Sequence, residues 1–282
     1  FVGSVRCVYE TAVKMGDYAK ARKFAFVVLA ESEMGPTKEF ALDQVELLDD
    51  YYLTAQNSDI EFLKKFDNDR LLSRFRETAG LDTKKIAPYG GWEDGWLGGH
   101  SVGHYLTAIA QAVKATGNAD LKEKSKQLIK GLAECQNKLG TGFIFGAKIE
   151  TEGYVEKQFD ILEGKTTGKT WVPWYNMHKM LTGLVDTYKY TGNKQALEVA
   201  KKLGDWIYNR VSKWDAGTQG RVLGTEYGGM NDCLYELYLC TRDSKHLEAA
   251  HKFDEPNLYK TVAKGGKNCL NGKHANTTIP KF

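Results

Sequence analysis

Apolar residues recur with helical spacing in three stretches of the chain. Residues 104–124 read HYLTAIAQAVKATGNADLKEK, 178–201 read HKMLTGLVDTYKYTGNKQALEVAK, and 231–251 read NDCLYELYLCTRDSKHLEAAH. Leu181, Leu184, Val185 and Tyr188 fall at i, i+3, i+4 and i+7, which lines one face of a helix. Each stretch is broken by a tight polar turn: Thr116-Gly117-Asn118, Thr191-Gly192-Asn193 and Thr241-Arg242-Asp243. Glycine there supplies the left-handed residue that closes a helix. The pattern predicts three helical hairpins. A hairpin cannot bury its apolar face alone, so hairpins stack in arcs or close into rings. The expected fold is all-α, of the (α/α)6-toroid type, with inner and outer helices and about half the ring in this chain.

The spacing between turns is 75 residues from Gly117 to Gly192 and 50 from Gly192 to Arg242. Long Gly- and aromatic-rich inserts fill the difference, and the one at 140–168 is expected to hold short strands or loops. Residues 1–37 do not share the repeat. They read as an N-terminal extension or the end of an upstream module, with an apolar run at 24–29 and a break at Met34-Gly35-Pro36. Residues 38–282 are the first part of the barrel, with another helix starting near His274. The absence of an initial Met and the abrupt end at Phe282 give the chain the look of a fragment, expected to need a complementing C-terminal part of the barrel for activity.

Composition removes several classes of function. Lys+Arg 39 against Asp+Glu 36 gives a formal charge of +3, so no electrostatic reason exists to expect a nucleic acid or an anionic membrane as partner. The longest apolar stretch, seven residues at 24–30, is far below the ~20 that a membrane span needs. The cysteines at 7, 135, 233, 240 and 269 are odd in number and read mostly as buried thiols.

Candidate chemistry clusters before or at the start of the inner helices. The groups are Tyr89-Gly90-Gly91-Trp92-Glu93 with His100 and His104; Trp171-Val172-Pro173-Trp174-Tyr175 with His178; Glu226-Tyr227-Gly228-Gly229-Met230-Asn231; and His274-Ala275-Asn276-Thr277. If the inner helices run parallel, all four project onto one mouth of the toroid. Aromatic faces bind the C–H faces of sugar rings, and His, Glu and Asn bond hydroxyls. Competing readings stay open for each. The Trp171, Trp174 and Tyr175 group could be packing between hairpins, and Gly228-Gly229 could serve close backbone approach. His100 and His104 share a helix face as two metal ligands would, but lack a third partner.

Five ordered strings carry a resemblance: DRLLSRFRETAGL (69–81), YGGWEDGWLGGHSVGHYL (89–106), WVPWYNMHK (171–179), TEYGGMND (225–232) and HANTTIPK (274–281). Together they closely resemble the β-L-arabinofuranosidase families of glycoside hydrolases, families 127 and 146. The resemblance implies an (α/α)6 barrel followed by β-sandwich domains, and a retaining mechanism with a zinc-bound cysteine thiolate as nucleophile and a glutamate acid/base. In the family those groups lie C-terminal to the HANT-type string, so catalytic residues and zinc ligands are expected beyond Phe282, and no zinc site within this chain. What carries over is a carbohydrate-facing set. His178 and His274 match sugar-contacting histidines, and Trp92, His100, His104, Trp174, Tyr175, Glu226, Asn231 and Asn276 occupy motif positions. The expected activity is hydrolysis of terminal β-L-arabinofuranosyl or similar furanosyl residues of plant glycans. A non-catalytic sugar-binding half-toroid and an α/α-toroid sugar epimerase are the alternatives.

Overall fold

The computed structural model describes residues 40–147, 154, 156–265 and 269–282. The apolar run at 24–29, the break at 34–36 and Cys7 lie outside them. Regular structure among the described residues is entirely helical. In chain order the α-helices are α1 (Asp50–Lys64), α2 (Asn68–Thr78), α3 (His100–Thr116), α4 (Ala119–Leu139), α5 (Lys157–Leu162), α6 (Pro173–Thr191), α7 (Lys194–Val211), α8 (Ala216–Leu223), α9 (Met230–Thr241), α10 (Ser244–His251), α11 (Pro256–Ala263) and α12 (Ala275–Thr278).

The three hairpins read from the sequence are α3–α4, α6–α7 and α9–α10. Each first helix closes on a left-handed residue: Gly117 at φ 70°, Gly192 at φ 71° and Arg242 at φ 57°. The next residue caps the second helix with its side chain. Asn118 accepts from the Leu121 N–H at 3.0 Å, Asn193 from Gln195 at 3.0 Å, and Asp243 from Lys245 at 3.0 Å. A left-handed turn followed by an N-cap reverses the chain in two residues while satisfying the backbone groups that helix ends expose.

Two layers result. Helices α3, α6 and α9 pack side by side as the inner row, and α4, α7 and α10 form the outer row behind them, with α2 against α4. This is an all-α fold of the α/α-toroid type. No helix among the described residues is long and apolar enough to cross a membrane.

Two glycines set how closely the inner helices approach. A Cβ on Gly103 of α3 would lie 2.1 Å from the Lys179 carbonyl oxygen of α6, and a Cβ on Gly183 of α6 would lie 2.5 Å from the Gly103 carbonyl oxygen. Backbone therefore meets backbone at this crossing, as only Gly permits.

The insert at 140–168 holds loops, as one of the two expectations had it, together with a short helix. No strand appears among its described residues; instead α5 carries Phe159 into the core. The ion pairs of Arg210 with Glu163, Asp160 and Glu156 pin α5 and its C-terminal end to α7. Burial of one aromatic ring and one shared cation favours a helical turn here over an exposed strand edge.

Candidate sugar-binding mouth

The N-terminus of α3 is built around Glu93. Its buried carboxylate accepts from the Gly99 N–H at 2.6 Å and from the Ser101 N–H at 2.9 Å. Negative charge here offsets the positive end of the helix and satisfies its unpaired N–H groups. His100 completes the arrangement: its Nδ1 lies 2.9 Å from Glu93 Oε1 and 2.6 Å from the Leu97 carbonyl oxygen. Two acceptors around Nδ1 assign the proton to that nitrogen. Burial works against ionisation of Glu93, but hydrogen bonds from His100, Ser101 and Gly99 outweigh it and hold the carboxyl below its usual range. For His100 burial again opposes charge, and the Glu93 carboxylate with the Leu97 carbonyl prevails, so the imidazole titrates above its ordinary value.

One turn further on, His104 faces a different field. Partial burial, the Lys179 ammonium and the neighbouring His100 bring its pKa down to about 4. Its ring stands edge-on to His100, with centroids 6.1 Å apart.

Helix α6 starts at Pro173, whose fixed φ and missing N–H suit the first helical position. It supplies Tyr175, His178 and Lys179. The Tyr175 ring lies 6.4 Å from that of His100, and the Lys179 Nζ sits 4.8 Å from the centre of the Tyr175 ring. His178 is only 6% exposed. Its Nδ1 accepts from the Gly229 N–H at 3.0 Å, which leaves Nε2 as the protonated nitrogen. Burial, then Lys179 and His104, keep this imidazole far below its ordinary pKa and hence neutral. The double glycine is fitted to this ring. A Cβ on Gly228 would fall 2.5 Å from His178 Nδ1, and one on Gly229 would fall 2.8 Å from the Pro280 carbonyl oxygen.

The rim is completed from the C-terminal side. His274, 68% exposed, brings Nδ1 to 3.9 Å from Glu226 Oε1, and Asn276 Nδ2 lies 3.4 Å from the Tyr175 hydroxyl. His100, His104, Tyr175, His178, Lys179 and Asn276 thus form one connected group at the N-terminal ends of α3 and α6, with Glu226 and His274 paired at its edge.

Two residues expected at the mouth are elsewhere. Trp174 is 0% exposed. It sits in an aromatic core with Phe159 at 4.8 Å, Phe253 at 5.1 Å and Trp214 at 5.6 Å between ring centroids. An adjacent pair of helix positions points some 100° apart, so Tyr175 and Trp174 cannot share one face; of the two open readings of this group, packing describes Trp174. Asn231 is also buried. Its Nδ2 donates to the Tyr259 hydroxyl at 3.1 Å and the Lys281 carbonyl at 3.0 Å, tying α9 to the turn after α12. Trp92 stands on a 3-10 turn, 69% exposed. Lys179 carries no signal in the sequence beyond directly following His178 in the WVPWYNMHK string. Only its neighbour's role could have drawn attention to it.

The ligand-type atoms at the mouth do not fit a zinc ion. His100 Nδ1 is committed to Glu93 and Leu97, and no described group of three such atoms includes His100 or His104. The described group that does draw three together is Asp205, Asp243 and His246 in the outer layer, and there Lys245 Nζ approaches Asp205 Oδ1 to 3.7 Å. The thiols of α4 and the end of α9 are not poised for attack either: burial pushes Cys135 up to about 11 and raises Cys240.

Fold and mouth together define a class: a stack of helical hairpins whose inner N-termini present neutral imidazoles and an aromatic ring, groups suited to a polyhydroxyl ligand. The sequence profile described as Beta-L-arabinofuranosidase, GH127 catalytic domain, matches residues 44–282, and the chain belongs to that family of glycoside hydrolases. Among solved structures it is similar to a GH127 beta-L-arabinofuranosidase from Geobacillus Stearothermophilus T6, with 17% identity, a TM-score of 0.47, and coverage of 77% of this chain and 32% of that one. The chain therefore spans about a third of the length of that enzyme. No curated protein matches it.

Proposed function

We propose that this domain forms the sugar-binding wall of a glycoside hydrolase that releases terminal β-L-arabinofuranosyl or similar furanosyl residues from plant glycans. The observation that carries this reading is the convergence of His100, His104, Tyr175 and His178 at the N-termini of two adjacent inner helices. His178 and His104 are held neutral. A neutral imidazole has one donor and one acceptor, the same pair that a sugar hydroxyl offers in return. His178 uses its acceptor on Gly229 and keeps Nε2–H for the ligand. Tyr175, 9% exposed, backs this group with an aromatic ring.

Within this reading the reaction is retaining, with a cysteine nucleophile and a glutamate acid/base supplied by residues other than those of this mouth. Glu93 is consumed by capping α3, and the cysteine nucleophile is neither Cys135 nor Cys240, whose thiols stay protonated. The zinc that the family associates with its cysteine belongs with those residues too. The mouth's task is to bind the glycone and hold its anomeric carbon in line for attack.

A non-catalytic sugar-binding role is the second reading: of the two carboxylates that precede the inner helices, Glu93 is spent on the N-terminus of α3 and Glu226 faces His274 at 3.9 Å, so the two do not offer the free acid/base pair that paired-carboxylate hydrolysis requires. Incubating the protein that carries this domain with p-nitrophenyl furanosides and analysing the products separates the readings. Free L-arabinose is the expected product. An isomer of equal mass would indicate an epimerase, unchanged ligand with measurable binding a binding module, and either would overturn the hydrolase reading.

A further inference from the structure

Lys179 is placed unlike the other lysines of the inner row. Lys189, near the far end of α6, pairs with Glu236 of α9 at 2.6 Å. Lys179, at the mouth end, has no described carboxylate within 4.0 Å; its Nζ instead lies 4.8 Å from the centre of the Tyr175 ring, one turn back toward the helix N-terminus. The side chain is half-buried, and burial lowers its pKa against the opposing pull of Cys233 and Glu226. Leaving a half-buried ammonium without a counter-ion costs free energy that a surface lysine escapes by extending into water.

The backbone beneath it is fixed as well. The Lys179 carbonyl occupies the space left by the absent side chain of Gly103, so this residue is locked at the α3–α6 crossing. Around the ammonium stand His100 and His104 from α3, Tyr175 and His178 from its own helix, and Glu226 and Cys233 from the α9 side. The three imidazoles all sense its charge. The arrangement is a cation over an aromatic ring, with no hydrogen-bond acceptor among the described residues, and within the field of three imidazoles.

We propose that Lys179 is a sugar-binding residue of this mouth, its ammonium donating hydrogen bonds to hydroxyl oxygens of the furanosyl residue bound there. The inference rests on the glycosidase reading and deepens it. Lys179 has three donors and no acceptor, so it binds hydroxyl oxygens as acceptors only; His178 likewise has only Nε2–H to offer, its Nδ1 being spent on the Gly229 N–H, while a neutral His104 can serve a hydroxyl in either sense. Its charge acts a second time by disfavouring protonation of His104 and His178, so that the rings beside it stay in their neutral form when the sugar arrives.

The test uses Lys179→Met, which keeps the stem over Tyr175 and removes the charge, in the protein that carries this domain. Lys179→Gln serves in its place if the methionine variant fails to fold. The measurements are kcat and KM on p-nitrophenyl β-L-arabinofuranoside, Kd for L-arabinose by calorimetry, thermal stability, and the His104 titration by NMR. A hydrogen bond from a charged donor corresponds to roughly ten- to hundred-fold in affinity. KM and Kd should rise by that factor with a smaller change in kcat, stability should be retained, and His104 should titrate above about 4. If the wild-type protein turns over the furanoside while the variant keeps both its KM and its Kd, Lys179 does not touch the sugar and the inference fails alone. If the wild-type protein neither turns over the furanoside nor binds L-arabinose, the glycosidase reading fails and takes this inference with it.

Discussion

Gly103→Ala should damage both stability and sugar binding, although in an ordinary helix the same change is stabilising. A Cβ at this position meets the Lys179 carbonyl oxygen at 2.1 Å, its carbonyl carbon at 2.2 Å and the Met180 nitrogen at 2.8 Å. All three are backbone atoms of α6 and cannot rotate away. The first distance is short of ordinary van der Waals contact by more than about 1 Å, so α3 and α6 must part. Overpacking of this kind costs about 1–3 kcal/mol, against about 1 kcal/mol gained from replacing Gly by Ala within a helix. The separation carries His100 and His104 away from Tyr175, His178 and Lys179, and a displacement near 1 Å at a binding constellation lowers activity by as much as a hundredfold. Gly220→Ala is the matched control. It lies in α8, exposed, with nothing within 4 Å of the added Cβ, and should stabilise by about 0.5–1 kcal/mol. Thermal denaturation and L-arabinose affinity of both variants decide the matter. A Gly103→Ala protein as stable as Gly220→Ala, with unaltered affinity, would refute the close crossing as the device that assembles the mouth.

Further outcomes follow from the same geometry. Arg242 holds the left-handed position that Gly117 and Gly192 hold in the other hairpins, so Arg242→Gly should relieve about 1 kcal/mol of strain and raise the melting temperature by a few degrees; an unchanged or lower melting temperature would contradict this. His104 should stay neutral as pH falls until about 4, whereas His100 should remain protonated above the ordinary ~6.5. By linkage, His104 contributes stability above ~6.5 that fades as pH falls toward about 4, Glu93 contributes stability lost as pH falls through its lowered value, and His100 contributes stability lost as pH rises through its raised one. Histidine NMR titrations check the order, and a His104 that titrates above His100 would overturn it. Trp174→Ala should cost about 3–5 kcal/mol through the core. His178→Ala should cost about 1–3 kcal/mol by leaving the Gly229 N–H unpaired, and should also abolish sugar binding. A folded Trp174→Ala protein with a selective loss of affinity would move that ring to the mouth.

Much of the architecture could be read from the chain because it rests on local signals. The i, i+3, i+4, i+7 apolar spacing with two Thr-Gly-Asn turns and one Thr-Arg-Asp turn places all three hairpins, and the last residue of each turn caps the second helix. The motif strings drew attention to His100, His104, Tyr175 and His178, which the fold brings together. What was not legible depends on facing rather than spacing. Trp174 and Tyr175 are neighbours in one string, yet one closes the core and the other lines the mouth, and only the packing of α5 and α7 around Trp174 decides which. Asn231 reads as a binding side chain but spends its donors on Tyr259 and Lys281, partners 28 and 50 residues away. Helix α5 has one turn and a half of sequence and owes its shape to Phe159 and to Arg210 on another helix, so its pattern alone predicts little. Lys179 carries no motif signal of its own; its lack of a carboxylate partner among the described residues becomes visible only in three dimensions.

We propose that the N-terminal ends of the inner helices form the sugar site. The most direct measurement is a crystal structure of the protein that carries this domain with L-arabinose bound. The sugar should lie at this mouth, with hydroxyl oxygens within about 2.7–3.2 Å of His178 Nε2 and Lys179 Nζ. A sugar bound on the outer helices, or one that leaves these two donors untouched, would contradict the account.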